Sequence, residues 1–125
     1  VIRAMIGGKD DEVGSVTLPT EVAEGTSIWM TRRDQAKIGQ SVERIADEVT
    51  AQLNGHRPKL VFQFDCAGRG KVILRDQQKQ QFLKSLQERI GSDVPWLGFY
   101  SYAEIGPVKQ NNCLHNYTAV LTAIY

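Results

Sequence analysis

Leu60-Val61-Phe62-Gln63-Phe64-Asp65-Cys66-Ala67-Gly68-Arg69-Gly70 is the stretch that decides the fold. Its first five residues are almost wholly apolar, the pattern of a short strand covered on both faces. Two glycines then bracket Arg69, so the strand empties into a tight loop. On either side lies a helical pattern. Upstream, Ile38, Val42, Ile45, Ala46, Val49 and Leu53 repeat at the spacing of one helix face. Asp34 suits the N-cap, and Gly55 with Pro58 suits the exit, so a helix is expected from Gln35 to Asn54. Downstream, Phe82, Leu83, Leu86 and Ile90 form a second stripe. Asp76 as cap and Gly91 as stop place this helix from Gln77 to Ile90.

Working outward, residues 1–6 read as an apolar, β-branched strand ended by Gly7-Gly8-Lys9-Asp10-Asp11. Val13, Ser15, Val16 and Leu18 suggest a weaker strand. Glu24-Gly25 marks a tight turn before a third, Thr26 to Met30. Beyond the second helix, Trp96 to Tyr102 reads as a strand, 104–113 as a loop and Tyr117 to Tyr125 as the last strand. The expected fold is α+β: a single mixed or antiparallel sheet with two helices packed on one face, in the order βββ-α-β-α-ββ.

The 125 residues suit one domain, 1–125, large enough to bury a core without disulfides or structural metals. Fifteen basic and 14 acidic residues leave a net charge of +1, with no clustered positive field for nucleic acid or an anionic membrane. Arg32, Arg33 and Lys37 sit beside Asp34 and read as a solvated helix end. No apolar run approaches the ~20 residues of a spanning helix. Cys66 and Cys113 are too few for a disulfide framework, and there is no secretory signal. Two reduced, unpaired thiols and a cytoplasmic setting are expected. A strand at Val1 with no lead-in reads as a piece of a longer protein.

Cys66 is either core filler or a reactive thiolate. Arg69 favours the second reading, whereas the charge of Asp65 opposes it. The glycine spacing is not that of a nucleotide-phosphate loop. Glu104, after the aromatic strand holding Tyr100, reads as a solvated strand end or as a carboxylate for an amine. His115 is a hydrogen-bonding residue or a ligand. His56 is a helix-exit residue. Cys66, Cys113, His115 and Glu104 together have poor spacing for zinc, which prefers ligands in close pairs. No base is evident beside Cys66, so a non-enzymatic protein is expected.

Three segments resemble the C-terminal part of the FIST domain family: Val61 to Arg69, Gly98-Phe99-Tyr100-Ser101-Tyr102-Ala103-Glu104-Ile105, and Leu114-His115-Asn116-Tyr117-Thr118. Asp65 and Ala103 depart from the family's pattern, which has a small hydroxyl residue and a glycine there. The resemblance implies a sensory module of intracellular signal transduction that binds a small ligand, with amino acids or related metabolites suggested. Partners implied are the family's N-terminal half and signalling output proteins such as histidine kinases. On that reading the ligand site comprises Cys66, Arg69, Tyr100, Glu104, His115 and Asn116. Arg69 would take a carboxylate, Glu104 an amine, and His115 with Asn116 would add hydrogen bonds, with no cofactor. Two alternatives stay open: a haem-binding nitric oxide sensor with His115 as axial ligand, and an interaction scaffold without a ligand.

Overall fold

Helix α1, Gln35–Leu53, starts where Asp34 accepts hydrogen bonds from the amides of Ala36 and Lys37. It stops at Asn54, whose left-handed backbone (φ 46°) ends the helix at Leu53, one residue before the end expected from Gly55 and Pro58. The computed structural model describes residues 1–5 and 12–125. After α1 come β1 (Leu60–Cys66), α2 (Asp76–Ile90), β2 (Trp96–Ser101), β3 (Glu104–Val108), β4 (Asn111–His115) and β5 (Ala119–Ile124). The class is α+β, with both helices on one side of a mixed sheet. Asp76 is the first helical residue of α2 and not its cap. At the cap position the Arg75 amide donates to Gln78 Oε1 at 3.2 Å.

The sheet has three strands in the order β2-β1-β5. β1 runs parallel to β2 and antiparallel to β5, so β1-α2-β2 is a crossover of the kind parallel neighbours require. The register defines three rungs on the helix side: Val61 with Trp96 and Ala123, Gln63 with Gly98 and Leu121, Asp65 with Tyr100 and Ala119. The first rung anchors the core, where Val61 is fully buried among Val42, Ala46, Leu53, Leu86 and Ile90.

The expectation that β1 is covered on both faces does not hold among the described residues. Phe62 and Phe64 are half-buried on the opposite face, and Phe99, in edge contact with Phe64 at 4.9 Å, is exposed. The segment expected as a loop at 104–113 instead forms most of a hairpin, β3-β4, a separate two-stranded sheet. Its turn is made by Lys109-Gln110, with Lys109 at φ 57°. Pro107 and two asparagines hide this hairpin from propensity, because pairing across a tight turn outweighs weak strand residues.

Among the described residues none of the three N-terminal segments forms a strand, although Ser15 makes an isolated bridge. Of the first, Ile6 and the Gly7–Asp11 turn lie outside the described residues. Residues 1–5 are tied to the end of β4: the Ala4 amide donates to Asn116 Oδ1 at 2.8 Å, and Arg3 donates to the Leu114 carbonyl. Val13, Val16, Ile28, Trp29 and Met30 are exposed and lie outside the strands. Alternating apolar residues supply one face of a strand but not the neighbouring backbone that makes it one.

Asp34→Ala is expected to lower stability by about 0.5–2 kcal/mol, the usual worth of an N-cap side chain, in urea unfolding. A change below a few tenths would show that α1 is held by packing alone.

Candidate functional site

The carboxyl end of β1 turns sharply because the Cys66 carbonyl accepts from the amides of both Arg69 and Gly70, each at 2.9 Å. That turn carries Arg69 back over the strand end, where only 8% of the residue remains exposed. Its Nη1 donates to both carboxylate oxygens of Asp65, at 3.2 and 3.3 Å. Its Nη2 donates to Ser41 Oγ on α1 at 2.6 Å, and the Ser41 hydroxyl donates to the Ile38 carbonyl at 2.7 Å. Two glycines make the fold-back possible by close approach. A Cβ on Gly70 would lie 2.7 Å from Asp65 Oδ2 and 2.6 Å from the Tyr100 ring, and one on Gly68 would lie 2.7 Å from the Tyr117 ring. Arg33 clamps the outside of the turn. It donates to the Gly68 carbonyl at 3.0 Å and lies 5.3 Å from the Tyr117 ring centroid, a cation–π contact.

Beneath this turn is a cavity of about 420 Å³. Helix α2 rests mainly on α1, and its first turns stand off the sheet, leaving the gap beside the second and third rungs. Val42, Ile45, Phe82, Leu83, Leu86 and Leu121 make its apolar walls. Gln63, Asp65, Arg69, Lys79 and Tyr100 make its polar end. The polar end lies at the carboxyl ends of two parallel strands, the customary place for ligands in such sheets.

The electrostatics follow from burial. Burial raises the Asp65 carboxyl above its ordinary value, against the charge and hydrogen bonds of Arg69, and the charge of Glu104 pushes the same way. Burial, with the charge of Asp65, also raises Tyr100, keeping its hydroxyl protonated. The Lys79 ammonium is stabilised first by its hydrogen bond to Asp76, in an ion pair whose acidic partner is 90% exposed.

The residues singled out in the sequence fall into three places. Arg69 and Tyr100 line the cavity. Glu104 and His115 face each other across the β3-β4 ladder, where the Ser101 hydroxyl donates to Glu104 Oε1 at 2.7 Å. His115 Nε2 lies 3.2 Å from the Gly106 carbonyl. Neither lines the cavity, although the charge of Glu104 reaches Asp65. Asn116 is buried and spends its side-chain oxygen on Ala4, tethering the N-terminal segment. Cys66 is buried with its amide bonded to the Thr118 carbonyl at 2.9 Å. Both cysteines are free. Among the described residues no three of His, Cys, Asp and Glu gather as a metal site. A haem held by His115 does not fit this arrangement, because its Nε2 already faces a carbonyl and its ring is outside the cavity.

Ser41 and Lys79 were not visible as site residues. Ser41 lies beside the apolar stripe of α1, and a small hydroxyl there signals a buried polar contact only once Arg69 is placed. Asp65, which departs from the family's pattern, is the partner that lets Arg69 be buried.

The chain's residues 1–107 match the FIST C domain family. It is 29% identical over 119 residues, 95% of this chain, to an uncharacterized protein of Mycobacterium bovis. An uncharacterized protein of Mycobacterium tuberculosis is 28% identical over the same length. The chain spans 30% of the length of each of these relatives. No solved structure matches it significantly. No helix among the described residues is long and apolar enough to cross a membrane.

Asp65→Asn keeps an acceptor for Arg69 but cannot titrate. A carboxyl raised by folding contributes stability that is full below its unfolded pKa and is lost as pH rises through its folded pKa. The stability of the parent relative to Asp65→Asn should therefore be highest in acid and shrink as pH rises through that folded pKa. Urea midpoints at a series of pH values check this, and a gap that widens with pH would show that the Arg69 charge outweighs burial.

Proposed function

This chain belongs to the FIST C domain family of sensory, signal-transduction domains, and on that premise we propose that it binds a small ligand in the cavity beneath the Cys66–Gly70 turn. The observation that carries this reading is the pairing of apolar walls with a buried, hydrogen-bonded polar end in one space of about 420 Å³. Ligand sites have this composition: apolar area supplies affinity, and a few fixed polar groups supply orientation. The Arg69–Asp65–Ser41 cluster is fixed before any ligand arrives, which lowers the ordering cost of binding. On this reading the domain acts by holding a ligand and not by catalysis. Amino acids and related metabolites are the ligand class the family resemblance implies.

Signalling follows if the ligand draws the first turns of α2 toward the sheet. Those turns carry Lys79, Gln80 and Leu83 on the far wall, so closure would alter the outer surface of α2. A second reading, an interaction scaffold, rests on the opposite sheet face, where Leu97, Phe99, Val120 and Ile124 are exposed.

Thermal unfolding against a panel of amino acids and their deaminated and decarboxylated derivatives tests the first reading. A ligand at 100 times its dissociation constant should stabilise the fold by about 2.7 kcal/mol. The shift should vanish in Ala119→Phe, which fills the cavity, and persist in His115→Ala. The opposite pattern would move the site to the hairpin, and no response to any compound would favour the scaffold.

A further inference from the structure

The cavity's charges are unequal. Its lining holds two cations, Arg69 and Lys79, and one carboxylate, Asp65. The two cations are not equally committed. Arg69 is locked in a pair whose side chains are 9% and 13% exposed, and both Asp65 oxygens already accept from it. Breaking such a pair leaves a buried charge without a partner, which is strongly unfavourable. Lys79, in contrast, is paired with Asp76, which is 90% exposed and does not line the cavity. A pair so open to water contributes little, so Lys79 can exchange Asp76 for an anion inside the cavity.

We infer that the cavity takes an apolar monocarboxylate, an aliphatic or aryl body ending in one carboxylate, and discriminates against ligands that also carry an ammonium. This rests on the cavity reading above and narrows it to the deaminated members of the metabolite class. The carboxylate accepts from the Lys79 ammonium and from the Tyr100 hydroxyl, both of which line the cavity. The body lies along Phe82, Leu83, Leu86 and Leu121. An ammonium is poorly provided for: among the described residues Asp65 is the one carboxylate in the lining, both its oxygens already accept from Arg69, and an ammonium would have to share it with the guanidinium. Burial, which lifts the Asp65 carboxyl, further weakens its call on a second cation.

Four probes with one eight-carbon chain and different heads test this: octanoate, octanol, octylamine and 2-aminooctanoate, each below its micellar concentration. Trp96 lies on the lining and reports occupancy by fluorescence once the exposed Trp29 is replaced by Phe. Octanoate should bind at least tenfold more tightly than each of the other three. Lys79→Gln should bring octanoate down to the affinity of octanol and leave octanol unchanged. Equal or tighter binding of 2-aminooctanoate or octylamine would overturn the carboxylate inference while leaving the cavity as the ligand site. Retained preference for octanoate in Lys79→Gln would overturn the role given to Lys79. If none of the four probes changes Trp96 emission or thermal stability, the cavity reading falls together with the inference.

Discussion

A guanidinium taken out of water must find carboxylate and hydroxyl partners, and the carboxyl end of β1 is arranged around that requirement. Arg69 meets it with Asp65, four residues back on the same chain, and with Ser41 on α1. The first contact shapes the turn and the second ties the turn to the helix layer. Neither is possible without the glycines at 68 and 70, whose absent side chains leave space for Tyr117 and for Asp65 with Tyr100. A buried ion pair is seldom the cheapest way to stabilise a fold. Its value here is geometric, since it holds a polar end of defined shape at the edge of an apolar space.

That space exists because α2 leans on α1. Leu86 and Ile90, near the end of α2, join the core around Val61, whereas its first turns stand away from the second and third rungs of the sheet. The later turns of the helix are thus packed into the core, while its first turn is tied to α1 by the Gln78–Gln35 hydrogen bond and borders the cavity. An element that forms one wall of a cavity can couple its occupancy to a change at the surface, because the ligand adds contacts to that wall.

Both helices and the central strand were legible because each announces itself through periodicity and caps, which are local. Asp34, Gly55 and Gly91 mark ends that the structure keeps to within about a residue. The β3-β4 hairpin was not legible, since Gly106, Pro107, Asn111 and Asn112 have low strand propensity and gain their order from each other. The apolar N-terminal segments misled in the opposite sense: their composition suits strands, yet a ladder depends on a partner elsewhere. At the site, Arg69 and Tyr100 could be picked out from their position at strand ends. That Glu104 and His115 lie off the cavity lining could not, because it depends on where the hairpin folds after Tyr102. Asn116 looked like a ligand group and serves to bind the N-terminal segment.

The claim on which the rest depends is that Arg69 and Asp65 act as one buried unit. A double-mutant cycle with Arg69→Met, Asp65→Ala and the pair, read by urea unfolding near neutral pH, measures it directly. The account predicts a coupling energy of about 1–3 kcal/mol, as for residues sharing a buried charged network. Additive effects, equal within about 0.3–0.5 kcal/mol, would mean that the two side chains do not depend on each other and would contradict it.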